Sequence, residues 1–307
     1  MRGLLVVNPN ATTTTARVRD VMVHALADEI DLDVVTTDRR GHAVELARQA
    51  RADRWDVVVT LGGDGTVNEV VNGLLAAGPG PDVPLLATVP GGSANVFARA
   101  LGLPADPVEA TGAILDGLRE KRFRTVGLGQ ADSRWFTFNA GLGLDAEIVA
   151  AVERKRAAGT RATPRSYLAS TVRQFFVGTD RREPALTLHR PGVDPVTGVF
   201  LAIVQNTSPW TFIGPMPVDP CPRASFDTGL DLFGVRRLSL LSGVRYGRRI
   251  LTSSRAGQTR GLVTWHDQSG FEVSASRPVQ LQVDGDALGE VDRVAFRAVP
   301  AALRAVV

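Results

Sequence analysis

Apolar positions in the first 120 residues alternate between two periods. Gly3–Val7, Leu32–Thr36, Asp56–Thr60 and Leu85–Val89 are short, nearly continuous apolar runs of buried-strand length. Between them the spacing becomes helical. Val18, Val21, Met22, Ala25 and Leu26 form a stripe along 15–28, and Val67, Val70, Val71, Leu74 and Leu75 form another. Helices are also expected over 42–52, 94–101 and 107–118. Repeated strand–helix units of this length predict a parallel, doubly wound α/β sheet. Ligands of such sheets bind beyond the carboxyl ends of the strands. The notable polar turns all lie there: Asn8-Pro9-Asn10, Thr37, the turn around Asp64 and the turn around Ser93.

The pattern changes after Phe123. Strand-like runs dominate: 134–140, 185–189, 199–205, 230–235, 261–265, 271–275, 279–283 and 293–298. Helical stretches interrupt at 144–157, 166–177 and 242–254. The expectation is an α/β domain over 1–126, to which 296–307 returns, and a mainly antiparallel β-sandwich domain over 127–295. The segment Ser208–Ala224 holds five prolines and reads as a long irregular loop. Its Trp210, Phe212 and Ile213 suit either a core or a membrane.

Composition narrows the classes. Apolar residues make up 44% and charged residues 22%, as in ordinary globular proteins. Cys221 is the only cysteine, so an intrachain disulfide and a cysteine zinc site are excluded. His24, His42, His189 and His266 lack metal-ligand spacing. The N-terminus does not read as a signal peptide, and no apolar run approaches the ~20 residues of a membrane span; a cytoplasmic location follows as the expectation. Lys121 and Lys155 are the only lysines, so phosphate chemistry cannot use a P-loop lysine. Arginines cluster from Arg154 to Arg190 against few acids. That pattern fits a solvated face or a surface for anionic lipid headgroups, and no aromatic platform accompanies it to suggest nucleic acid.

The sharpest chemical signal is Leu-Gly-Gly-Asp-Gly-Thr at 61–66, between a strand and a helix. Glycines let the backbone approach a ligand, and a helix start offers N–H groups to an anion. A bare carboxylate, Asp64, would repel phosphates unless a divalent cation or an acceptor hydroxyl intervened. Phosphoryl transfer therefore fits better than simple phosphate binding. Asp64 also suits a helix cap, and Asp284-Gly285 suits a hairpin turn.

Val7-Asn8-Pro9, the segment from Thr37 to Ala43, Gly-Gly-Asp-Gly-Thr-Val-Asn-Glu (62–69), Pro-Gly-Gly-Ser-Ala-Asn-Val-Phe-Ala-Arg (90–99) and Val283-Asp284-Gly285-Asp286 occur in this order. Together they resemble the diacylglycerol kinase catalytic domain family, which includes bacterial soluble lipid kinases and sphingosine and ceramide kinases. The resemblance implies a diacylglycerol kinase-like or NAD kinase-like α/β domain and an ATP- and magnesium-dependent lipid kinase. It places Asn8, Pro9, Asn10, Ala11, Thr12, Thr37, Gly62, Gly63, Asp64, Gly65, Thr66, Val67, Asn68, Glu69 and Ser93 at ATP. It makes Asp286 the proton acceptor with Asp284 beside it, and Asp64 the group that orients Mg2+ or the acceptor hydroxyl. Asp145 falls at the lipid headgroup, and Asp227 at a structural Mg2+ position. It implies a lipid substrate met at a membrane surface by a peripherally associated protein, and it allows a homodimer. The sequence departs from the family pattern in the Asn-Pro-Asn-Ala-Thr-Thr loop, in Val96 for an acid, in Asp286 for glutamate and in Asp-Thr-Gly at 227–229. Two alternatives stay open: an NAD kinase-like enzyme, and a nucleotide- or lipid-binding protein with impaired catalysis.

Overall fold

The computed structural model describes residues 1–9, 16–143, 146, 183–213, 216–237, 246 and 261–307. Asn10, Ala11, Thr12 and Asp145 lie outside the described residues, as do the arginines from Arg154 to Arg182 and nearly all of the three helical stretches expected after residue 143. The chain divides into two compact units, Met1–Leu128 with Pro300–Val307, and Gly129–Val299.

The first unit runs β1 (Arg2–Val7), α1 (Ala16–Ala27), β2 (Asp31–Thr36), α2 (His42–Ala52), β3 (Val57–Gly62), α3 (Asp64–Leu74), β4 (Leu85–Pro90), α4 (Val96–Ala100) and α5 (Pro107–Arg119). Its sheet order is β4-β3-β1-β2 and every pairing is parallel. Ala305, near the end of the chain, pairs in parallel with Leu86. Every residue of β3 and β4 is buried, as central parallel strands covered on both faces require. Edge strand β2 instead carries Asp31 and Asp33, charges that discourage further pairing. Small residues let α2 and α3 approach closely. Ala43, Ala47 and Ala50 are buried, and a Cβ on Gly73 would lie 2.4 Å from the Val44 carbonyl oxygen. Helix α5 starts as its sequence dictates: the Asp106 side chain accepts from the amides of Val108 and Glu109, and Pro107 occupies the first helical position.

Strand β5 (Phe123–Ala131) crosses the division at 128/129. The second unit continues with β6 (Arg134–Phe136), β7 (Asn139–Gly143), β8 (Leu186–Arg190), β9 (Val193–Val199), β10 (Leu201–Gln205), β11 (Thr211–Ile213), β12 (Met216–Val218), β13 (Leu230–Val235), β14 (Leu262–Gln268), β15 (Gly270–Val283) and β16 (Asp286–Val306). It is strand-rich and mainly antiparallel, as expected. Long β15 takes two sets of partners, β8 through Glu272–Ala275 and β7 through Leu281–Val283, with irregular register between. One apolar core joins both sets, including Leu142, Val204 and Leu232 with Leu188, Val273 and Phe296. Several details differ from the sequence expectation. β5 and β9 are strands, the run 134–140 breaks at Thr137–Phe138, the two runs 271–275 and 279–283 are one strand, and the proline-rich loop contains the hairpin β11–β12.

Candidate active site

The two glycine turns of the first unit meet backbone to backbone. β3 and β4 are in register up to Gly62 opposite Pro90, and the Gly91 amide donates to the Gly62 carbonyl at 2.7 Å. A Cβ on Gly92 would lie 2.6 Å from the Gly63 Cα, and one on Gly63 would lie 3.2 Å from the Gly92 Cα. Gly63 is extended, so it is glycine for close approach and not for a special dihedral. Gly63 is also the N-cap of α3, and Asp64 is the first helical residue. The Asp64 carboxylate therefore does not cap its own helix. It accepts from the Phe97 amide in α4 at 3.2 Å, which ties the two turns together.

Asn95, absent from the sequence-derived site, locks the second turn. It adopts the left-handed conformation (φ 48°), accepts from the Gly92 amide and donates to the Gly92 carbonyl, each at 2.8 Å. An asparagine inside a glycine-rich turn was the available signal, because asparagine tolerates this conformation better than most residues. Asn95 is the N-cap of α4, so Ser93, which is exposed, is not. A shallow recess beneath the turns is lined by Gly62, Gly63, Asp64, Thr88, Pro90 and Asn95. The buried Thr88 hydroxyl finds no hydrogen-bond partner among the described residues. Burial pushes the Arg99 guanidinium below its usual range, and the Asp64 charge acts in the opposite direction.

The other loops at the strand ends are tied to the same turn. Asn8 donates through its amide nitrogen to the Leu61 carbonyl at 2.9 Å and through Nδ2 to Thr66 Oγ1 at 3.0 Å. The Thr37 amide donates to the Val7 carbonyl at 2.8 Å. Glu69 accepts from the Gly41 amide at 2.8 Å, which fixes the loop after β2 to α3. Of the remaining candidates, Gly62, Thr66, Val67 and Asn68 are buried, Gly63 and Gly65 are half-buried, and Pro9 is exposed. The structure thus gathers Asn8, Thr37, Asp64, Thr66 and Glu69 around one set of strand ends.

In the second unit the two acids of Asp284-Gly285-Asp286 have different environments. Asp284 and Gly285 both have positive φ and form the two-residue turn between paired Val283 and Asp286. Asp284 is buried. Its Oδ2 accepts from the Thr137 amide (2.7 Å) and hydroxyl (2.8 Å), and its Oδ1 from the amides of Phe138 (3.0 Å) and Asn139 (3.1 Å). Four donors occupy this carboxylate, so the geometry gives it the task of holding the β6–β7 turn rather than the catalytic role expected of it. Asp286 is half-buried at the start of β16. The polar network extends from there. Gln282 Nε2 donates to Asn139 Oδ1, and Asn206 Nδ2 to the Thr137 carbonyl. Buried Asp219 accepts from Gln205, Ser208 and the Cys221 amide, and burial holds its carboxyl above the usual aspartate range.

Asp227 is exposed and its carboxylate is hydrogen-bonded by the Ser225 hydroxyl at 3.4 Å. Among the described residues no group of three His, Cys, Asp or Glu side chains is arranged to hold a metal ion, around Asp227 or around Asp64. Asp231 lies within β13, where it takes hydrogen bonds from His266 Nδ1 (2.7 Å) and the Asp267 amide (3.0 Å). Among the described residues no helix is long and apolar enough to cross a membrane.

Comparison with known proteins agrees with this geometry. The chain is 36% identical over 116 residues to a diacylglycerol kinase of Bacillus subtilis, covering 38% of this chain and 36% of the relative. It is 31% identical over 159 residues to one of Staphylococcus carnosus, covering 52% of this chain and 44% of the relative. The matches therefore span less than half of these relatives' lengths. A crystal structure of a diacylglycerol kinase from Bacillus anthracis superimposes with a TM-score of 0.73 at 20% identity, covering 99% of this chain and 96% of that one. An NAD kinase from Archaeoglobus fulgidus in complex with ATP gives 0.52 at 12%, covering 100% and 94%. At those identities both share the fold. Residues 2–130, which hold both glycine turns, match the family model of the diacylglycerol kinase catalytic domain.

Proposed function

We propose that the chain is an ATP-dependent lipid kinase, transferring the γ-phosphoryl group to a hydroxyl of a lipid alcohol such as diacylglycerol or a sphingoid base. The observation that carries this reading is the contact of Gly63 with Gly92, with Asp64 opening α3 beside it. Two glycine turns in backbone contact and a helix start suit phosphate oxygens. The names of the Bacillus subtilis and Staphylococcus carnosus relatives support the lipid acceptor, and the ATP in the Archaeoglobus fulgidus neighbour supports the nucleotide.

In this reading Asn8–Thr12, Thr37, Gly62–Glu69 and Ser93 surround the nucleotide. Val67 and Asn68 act from within the packed face of α3, and Glu69 acts by fixing the Gly41 loop. Magnesium typically takes one or two carboxylates plus substrate phosphates, so Asp64 would hold an ion arriving with ATP, and that ion would supply charge neutralisation at the phosphates. Asp64 orients that ion or the acceptor hydroxyl. Asp286 accepts the hydroxyl proton, Asp284 holds the turn that precedes it, and Asp145 meets the headgroup. Positioning and charge neutralisation carry most of the rate. The arginine-rich segment from Arg154 to Arg190 meets anionic lipid at the membrane surface.

The test is phosphate transfer from γ-labelled ATP to a panel of diacylglycerol, sphingosine, ceramide, phosphatidylglycerol and NAD. A labelled lipid product is expected. Labelled NADP alone would replace this reading with an NAD kinase, and ATP binding without any labelled product would replace it with a nucleotide-binding protein.

A further inference from the structure

Pro209–Val218 is a run of ten residues without a charge, in a chain of which 22% is charged. It contains the hairpin β11–β12, a two-stranded sheet of its own in which Thr211 pairs with Val218 and Ile213 with Met216. One end is anchored. Trp210 packs against the core of Ile203, Phe233 and Val235, and its carbonyl accepts from Asn139 Nδ2 at 3.1 Å. The Ser208 hydroxyl, just before the hairpin, donates to the buried carboxylate of Asp219, just after it. The other end meets water with apolar groups: Met216 is 44% exposed and Pro217 is exposed. A solvated hairpin of this kind ordinarily carries charges that keep it soluble and block edge pairing. A base tied by hydrogen bonds, with the exposed apolar residues Met216 and Pro217 on the returning strand, instead suits an element that enters a membrane interface.

We infer that the β11–β12 hairpin docks on a lipid bilayer, burying Met216 and Pro217 in the interface while Trp210 remains in the protein core. This rests on the lipid kinase reading, because a lipid alcohol has to be taken from a bilayer.

The experiment places an environment-sensitive fluorophore on Met216→Cys in a Cys221→Ser background of the whole chain. It is mixed with vesicles of phosphatidylcholine containing phosphatidylglycerol, with and without a quencher in the acyl region. A blue shift with vesicles, and quenching by the acyl-region probe, are expected. In co-sedimentation, Met216→Asp should weaken vesicle binding by about tenfold or more, the scale of one apolar side chain lost from an apolar environment, and Met216→Leu should retain it. An unshifted fluorophore, or Met216→Asp binding like the parent, overturns the inference. These readouts need no turnover. The kinase reading is checked separately with the parent protein on a short-chain, dispersed lipid alcohol, so either idea can fail alone.

Discussion

Replacing Asp284 by asparagine separates a structural carboxylate from a chemical one. In the parent, each carboxylate oxygen takes two donors, Oδ2 from the Thr137 amide and hydroxyl and Oδ1 from the amides of Phe138 and Asn139. An asparagine must turn its NH2 toward one of these pairs. The milder choice faces Thr137, whose hydroxyl can reverse and accept, while the Thr137 amide loses its partner. An orphaned buried donor costs about 1–3 kcal/mol, and the remaining bonds lose the strengthening of a charged acceptor, worth about another 1–2 kcal/mol. A total of about 2–5 kcal/mol at roughly 2–4 °C per kcal/mol gives a fall in Tm of about 4–20 °C. Calorimetry of parent and variant measures it directly. Half-buried Asp286 makes the opposite prediction: Asp286→Ala should melt close to the parent yet lose lipid phosphorylation by at least ~10²-fold, with ATP affinity within a few fold. If Asp284→Asn melts within a degree or two of the parent while turnover vanishes, Asp284 does chemistry and the structural assignment is wrong.

Three further outcomes follow from the same geometry. Asp64→Asn should lower turnover by at least ~10²-fold while Tm changes little, because Gly63 and not Asp64 is the N-cap of α3; near-normal turnover would remove Asp64 from the mechanism. Gly92→Ala puts a carbon 2.6 Å from the Gly63 Cα, so the turns must part by about 1 Å, and phosphorylation should fall about 10²-fold; Gly112→Ala in α5, with nothing within 4 Å, is the control and should if anything stabilise. Asp219 binds its proton more tightly folded than unfolded, so the folded state holds more protons between the two values and stability should fall as pH rises through that window; Asp219→Asn should flatten this part of a Tm-against-pH profile, and parallel profiles would contradict it.

Legibility from sequence followed the locality of the forces. The βα half was readable because its strands are continuous apolar runs and its helices keep a clean stripe; β3 and β4 are buried throughout, and α2 spans the expected residues. β5 was missed because Phe123–Ala131 mixes arginine, two glycines and glutamine without alternation. β9 was missed because Pro195 and Gly198 read as breakers, and an edge strand tolerates both. The hairpin β11–β12 hid among prolines for the same reason. At the site, Asp64 could be read because its turn is local, whereas its bond to the Phe97 amide depends on how β3 and β4 sit side by side.

The late motif shows the limit most clearly. In sequence, Asp284 and Asp286 are two acids around one glycine, ranked only by the family resemblance; their environments follow from the register of Val283 opposite Asp286. It puts Asp284 in the turn at φ 48°, with its side chain bonded to the Thr137–Asn139 backbone, and starts β16 at Asp286. A slip of one residue would turn Asp286 to the opposite face and take Asp284 out of its turn position, because strand side chains alternate faces. What keeps the register is the network around it: Leu281, Gln282 and Val283 are paired with β7, Gln282 bonds Asn139, and the Asp284 amide donates to the Asn139 carbonyl. What makes Asp284 a clamp is thus written partly at Thr137–Asn139, about 150 residues before the motif that displays both acids.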